Sequence, residues 1–547
     1  MTSSFRKNIL SALLTALPLV AMGQAAPDIL KMSQTDLRGT ARFMSMGGAF
    51  GALGGDLTVL DQNPGGIGVY RSSDVGISVD FDAQSVKDGN NMSLNQFKVT
   101  CNTFGYVGAF KLDSDVMPNL NFGVSYSRPV SFNRHYYGSI SNQRSSLTDY
   151  IATYTNVDGY KADDLTNFNP GKWDPYIDSN APWMSILAYN SALINPNTDG
   201  SFSGLSGMNS TISSEYEVHE TGGVDQFNIN FGGNLANVVY WGMGFGITNL
   251  DYKSTTYYGE NVNNGRIAHF KEIDGELVEQ GGTIDGNASY GLTNDLHTFG
   301  SGYNFKLGVI VKPINELRLG IAFHTPTYYS LKDESITYSS CAYNPMQSDA
   351  ASFEFLDKTN QGYLDEWWYK IRTPWKYIAS AAVVIGKSGL ISADYERREF
   401  GGIEYVGDNA MYDRQMKDQI KDYYKGVDII RIGGEYRVSP HVSIRAGYSY
   451  ESSPVNDKAM KGHTEIFTVS TTPAYILEKS TQYITCGLGY RYKNFYADLA
   501  YVHKQKDAEY HVFSPYLSYP ANAYVESPTL KLTFRNNRVV VSLGVRF

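Results

Sequence analysis

The C-terminal residues 539–547 alternate without interruption. Val539, Val541, Leu543, Val545 and Phe547 fall on one face, and Val540, Ser542, Gly544 and Arg546 on the other. A period of two with one wholly apolar face is the pattern of a β-strand, and it leaves little freedom in what such a chain can fold into. The pattern recurs upstream. Val239, Trp241, Met243, Phe245 and Ile247 alternate with Gly242, Gly244, Gly246 and Thr248. Leu317, Leu319, Ile321 and Phe323 alternate with Arg318, Gly320, Ala322 and His324, and Val442, Ile444, Ala446, Tyr448 and Tyr450 with Ser443, Arg445, Gly447, Ser449 and Glu451. A sheet facing water would carry more Lys and Glu on its second face. Here that face is largely Gly, Ser and Arg, which suits a crowded interior.

Connections between these strands alternate in length. Short ones lie near 113–119, 235–238, 313–316, 386–389, 439–441 and 493–494, and long ones near 84–95, 135–222, 258–297, 340–370, 405–425, 453–480 and 512–529. Short turns at one end and long loops at the other are the two ends of a membrane barrel, and these connections join about 14 strands. The predicted fold is therefore all-β: a transmembrane antiparallel β-barrel, multi-pass in a Gram-negative outer membrane, with outer-membrane lipid and lipopolysaccharide around it. The terminal Phe547 resembles the signal read by the barrel-assembly machinery. A mean hydropathy of -0.31 is no objection, because lipid-facing and lumen-facing residues alternate and the average hides the apolar face. The 42 Tyr and 26 Phe fit aromatic girdles. In the long loops, residues 145–155, 182–192 and 413–424 are predicted to form short helices.

Residues 1–23 read as a secretory signal: Arg6 and Lys7, a short apolar run over 9–20, and Ala21-Met22-Gly23 before Gln24. The run is well short of the ~20 apolar residues a membrane helix needs. The net charge of -9, with no basic stripe, argues against nucleic acid. Cys101, Cys341 and Cys486 are too few and too scattered for a disulfide framework or a zinc site.

Behind the signal, residues 38–74 are rich in Gly and Ala, poor in charge and without a period. The block ends on Asn63-Pro64-Gly65, a turn in which Asn bonds nearby backbone, Pro presets φ and Gly allows φ > 0. Compact small residues ahead of a long β-run predict a plug. The chain divides into signal 1–23, plug 24–73 and barrel 74–547. The block resembles the N-terminal hatch of the FadL/TodX outer-membrane transport family, with Gly65 where the family's motif is Asn-Pro-Ala. The likeness extends through NLNFGVSYSRPVSFN (119–133), the Thr-Pro-Trp opening and SADYE within 373–396, and IIRIGGEYRVSPHVSIRAGYSYESSPV (429–455). The resemblance implies a barrel of this size, plugged from the periplasmic side, that passes hydrophobic compounds such as long-chain fatty acids. Family members elsewhere take up aromatic hydrocarbons, and some relatives serve protein-secretion systems. Passive uptake of a hydrophobic small molecule or lipid, and a structural or cargo-receiving role in secretion, both stay open.

No catalytic constellation is evident, and the chain reads as a non-enzyme without cofactor or metal. Gly48, Gly51 and Gly54 have phosphate-loop spacing but lack the flanking strand, helix and Lys-Ser/Thr. Residues 357–362 imitate the start of a calcium loop, yet its twelfth position is Trp368 instead of Glu. His441 and Ser443 have no third member to orient the imidazole. Candidate ligand residues are lumen-facing Arg318, Arg431 and Arg445, as donors to a carboxylate head or as partners of Glu435, Glu451 and hatch carboxylates. Trp183, Ile186 and Leu187 are candidates to line an entry groove or to pack on the rim. Asn63, Pro64 and Gly65 fix the plug. Pro129 interrupts the third strand, SYSRPVSF, where a residue without an N–H cannot complete the ladder. The family's third strand is also kinked, and the gap there is its proposed lateral exit.

Overall fold

The computed structural model describes residues 25–547 except 90–92, 167, 463–465, 467 and 469–470. The predicted signal at 1–23 lies outside the described residues. The barrel strands are β1 Asp74–Asp88, β2 Ser93–Lys111, β3 Asn119–Ser131, β4 Thr211–Leu235, β5 Val239–Ile273, β6 Glu276–Val311 and β7 Leu317–His324. They continue as β8 Lys376–Ile385, β9 Gly389–Glu399, β10 Gly426–Arg437, β11 Val442–Glu451, β12 Tyr475–Tyr492, β13 Phe495–His511 and β14 Thr529–Arg546. Each pairs antiparallel with the next. β14 returns to β1 with Val75 opposite Val545 and Ile77 opposite Leu543, so the 14-stranded barrel is closed. Closure matters because a lipid-exposed sheet edge would leave backbone groups unpaired. The alternation read from the sequence sets the faces. Val539 and Leu543 are exposed on the outside, while Val540 and Ser542 are buried within.

Several expected loops are strand. The segment 258–297 continues the β5–β6 ladder to a tight turn at Asp274 and Gly275, both at positive φ. Likewise β1 runs to Asp88 and β2 starts at Ser93, inside the expected 84–95 connection. Above the membrane the outer face of these strands turns polar, as at Thr255 and Asp295, so the apolar alternation fades although the ladder continues. Proline breaks two further strands. β7 stops before Pro326 and resumes over Tyr328–Pro345, while Asp365–Arg372 is separated from β8 by Thr373, Pro374 and Trp375.

Residues 25–73 fill the lumen. They form helices α1 Ala26–Ser33, α2 Ala41–Ser45 and α3 Val59–Gln62, then a 3-10 turn over Pro64–Val69. The inward-facing glycines of the wall explain how they fit. A Cβ added at Gly242 would lie 2.1 Å from the Pro64 carbonyl oxygen, and one at Gly308 would lie 1.9 Å from Asn63 Oδ1. The plug backbone thus sits directly against the wall.

At the long-loop end a helical cap closes over the strands. Its helices α4 Leu147–Val157 and α5 Trp183–Asn190 lie within two residues of the expected bounds, and α6 Ala410–Tyr423 begins three residues earlier than expected. Leu147, Ile151, Leu193 and Leu205 pack with strand residues Tyr216, Val262 and Tyr290 into one apolar core.

Candidate functional site

α1 floors a cavity of about 140 Å³ between the plug and the cap. Its Pro27 at the first turn and Lys31 in the last suit a helix start and end. Leu30, Leu147, Val218, Leu292, Ile476 and Val512 supply apolar wall, and Tyr136, Tyr252 and Tyr258 add rings. The floor is charged. Lys31 and Arg134 both pair with Glu220, the latter at 2.6 Å, and Tyr252 donates to the same carboxylate at 2.7 Å. Arg134 also reaches Glu478 at 3.6 Å, which Lys506 pairs at 2.9 Å. At about 140 Å³ the cavity admits a group the size of an aromatic ring, with apolar walls around it and the ion pairs of Lys31 and Arg134 with Glu220 beneath it.

Below α1 lie two smaller cavities of about 90 Å³ each. The first shares Lys31, Arg134 and Glu478 with the upper cavity, so the ion-pair cluster is the partition between them. Gln34, Thr35 and Val130 line both lower cavities, and Pro129 lines the second.

Pro129 marks a discontinuity in the wall. The β2–β3 ladder ends at Thr103 opposite Ser127. β2 runs on, still paired with β1, to Ser93 opposite Lys87. β3 instead shifts register on β4 between Ser127 and Val130 and continues as Arg134–Gln143 against β4. Among the described residues, the two strand segments above this level are linked by a hydrogen bond from Lys98 Nζ to Asn133 Oδ1 at 2.6 Å. The plug touches the break: the Asp36 N–H donates to the Pro129 carbonyl at 2.9 Å.

The plug is anchored by charge and by its terminal turn. Arg38 lies 3.1 Å from Asp80, and Arg42 lies 3.0 Å from Glu435. The Phe50 and Gly51 N–H groups donate to Asp394 at 3.0 and 2.9 Å. Asn63 Oδ1 accepts from the Gly65 N–H at 3.0 Å, and its amide donates to the Gly51 carbonyl. Pro64 opens the 3-10 turn. Gly65 does not take a positive φ, contrary to the turn chemistry expected of it. Its requirement is closeness, since a Cβ there would stand 2.9 Å from the Gly308 backbone.

The three arginines lie beside the plug and do not line the upper cavity. Arg318 donates to the Leu53 carbonyl at 2.8 Å, and Arg431 pairs with Glu396 at 2.8 Å. Arg445 pairs with Glu435 and Asp498, each at 2.6 Å. Trp183, Ile186 and Leu187 are buried in the cap core, the last two completely, and none lines the cavity. Helix α5 is apolar on nearly every side, which signals a buried element and not a groove wall. His441 Nδ1 bonds the Arg491 carbonyl at 2.9 Å near the short-turn end.

Sequence reading missed Lys31, Arg134, Glu220 and Glu478. Arg134 and Glu220 are a cross-strand pair, one just before and the other within the 135–222 segment expected to be a loop, and the continued ladder there is the signal that joins them.

A closed barrel with its own N-terminal segment folded into the lumen defines a plugged outer-membrane β-barrel. Residues 205–466, just under half of the chain, match the family of outer membrane protein transport proteins (OMPP1/FadL/TodX). The fold is similar to a Pseudomonas aeruginosa FadL homologue, with 11% identity and a TM-score of 0.47 over 94% of this chain and 99% of that one. It is also similar to the P. putida toluene transporter TodX (13%, TM-score 0.43, 94% and 99%) and the Ralstonia pickettii toluene transporter TbuX (12%, TM-score 0.44, 94% and 99%). No curated protein sequence matches the chain.

Proposed function

We propose that this protein takes up hydrophobic molecules passively, single-chain lipids such as long-chain fatty acids among them, and releases them sideways into the membrane. The observation that carries this reading is the loss of the β2–β3 ladder at Pro129, where a chain of cavities reaches the wall. The long loops face outward, the plug and short turns face the periplasm, and lipopolysaccharide surrounds the upper wall. The leading apolar group of a solute enters the cavity above α1, where burial contributes about 0.8 kcal/mol per CH₂. Movement of α1 and exchange of the Lys31 and Arg134 pairs then opens the partition. The molecule passes Gln34 and Thr35 and leaves beside Pro129. No chemical step is required, because partition out of water supplies the driving force.

Pro129→Val tests the exit. The substitution restores an N–H and favours a continuous third strand. Uptake of a labelled fatty acid should fall several-fold while heat-modifiable gel mobility stays native. Equal uptake by both proteins would show that the exit is elsewhere.

A further inference from the structure

The outer wall beside the break is concave. A groove of about 1010 Å³ crosses the face formed by β12, β13, β14, β1, β2, β3 and β4. Its surface is made by Val75, Ile77, Phe104, Val124, Phe227 and Leu543, all exposed on the outward face. A level of small residues lies behind the groove on the inner face. Gly76 is paired with Gly105 on one side and with Gly544 on the other, so three adjacent strands lack a side chain at one level. The room is taken by the Tyr496 side chain: a Cβ would meet it at 2.5 Å from Gly76 and at 2.2 Å from Gly544. Tyr496 lies across the gap, with its hydroxyl donating to Asp74 at 3.1 Å.

The groove meets the break. Ser125 borders both the groove and the small cavity lined by Ser127, Arg128 and Pro129. At this upper lip stands a charged group unusual for a lipid-facing wall. Arg128 pairs with Asp225 through Nε at 2.7 Å and Nη2 at 2.9 Å, and Tyr126 donates to the same carboxylate at 2.6 Å. The ring of Tyr126 stacks on Phe104 with centroids 5.1 Å apart and tilts against Phe227 at 5.5 Å. An arginine whose Asp225 partner a second carboxylate can displace, and aromatic wall below, match a molecule with one carboxylate and one acyl chain.

The geometry points to this groove as an exterior docking site for a single-chain fatty acid, with its head at Arg128 and its tail along Phe104, Val124 and Phe227. The inference deepens the lateral route and names where the released molecule first rests. It differs from ordinary lipid contact in that a single chain lies along the aromatic wall with its head at Arg128.

The test uses the full protein in nanodiscs with a diazirine-bearing fatty acid mixed directly into the bilayer, so that the groove is probed without any need for transport. Adducts are mapped by mass spectrometry. They should concentrate on the peptides carrying Phe104, Tyr126 and Phe227, and fall several-fold in Val124→Trp but not in Ile432→Trp, whose site lies on the far wall. Arg128→Gln should abolish the preference for the free acid over its methyl ester. A diazirine phospholipid should label the wall evenly. Even labelling by the fatty acid, or equal labelling of the groove by phospholipid, overturns the site. Groove labelling as expected, together with unchanged uptake in Pro129→Val, would leave the site standing and remove the lateral route.

Discussion

Single residues account for much of what is rigid here, and their signals in the sequence are uneven. The inner-face glycines were visible as small residues on alternating positions, yet only the folded plug gives the reason: Gly242 and Gly308 admit the backbone of Pro64 and Asn63. The lumen arginines were legible as inward-facing, but alternation alone could not choose between a ligand and the carboxylates of Glu396, Glu435 and Asp498. One titratable residue well above the membrane gives a pH signature. His511 stacks on Tyr475 at 4.9 Å, and burial holds its imidazole down at about 4, partly opposed by Glu509. The unfolded chain takes a proton near pH 6.5, where the native site refuses it. The stability this group contributes is therefore present above about pH 6.5 and is lost as pH falls through about 4. Hydrogen exchange at the tops of β12, β13 and β14 should accelerate across that interval in the native protein. In His511→Phe, which keeps the stacking, the acceleration should be much weaker; an unchanged pH dependence would assign it to another group.

Elements follow simpler rules, and most of them could be read in advance. The β-strands inside the membrane announce themselves because one face must be apolar. Beyond the membrane the same ladders face water on one side and the cap on the other, so 258–297 loses its pattern and looks like a loop. The helices α4, α5 and α6 were legible to within three residues of their bounds. Their docking was not, since it depends on a partner distant in sequence. Glu260 on β5 accepts from the Leu147 N–H at 3.0 Å, from the Ser146 hydroxyl and from Tyr258 at 2.6 Å, and so fastens the start of α4 to the barrel. Burial raises this carboxyl above its ordinary value. Glu260→Ala strands buried donors, each costing about 1–3 kcal/mol. Limited proteolysis should then cut within residues 144–210 at least about tenfold faster, as a 1.4 kcal/mol change implies, while the barrel stays resistant. Equal cutting rates would mean that the apolar core alone holds the cap.

At the scale of the whole molecule, the barrel and its plug are two bodies joined by opposite charges. The plug contributes Asp36, Arg38, Arg42 and Asp61, and the wall answers with Arg538, Asp80, Glu435 and Lys306. Buried pairs of this kind are weak evidence for stability, but breaking one partner away is costly while the site stays dry. Removing the entire plug changes that condition, because water enters and solvates the wall charges together. The barrel ladder itself is closed by β14 and β1 without any plug residue. Deleting residues 25–70 should therefore leave a heat-modifiable barrel with a wet, charged lumen. Planar bilayers should show large steady ion conductance for the deletion and little for the full chain. A milder variant, Arg42→Ala with Arg38→Ala, should give brief openings as the plug loosens without leaving. If the deletion conducts no better than the full chain, some other element blocks the pore, and the cap built on α4 and α5 is the part of the structure placed to do it.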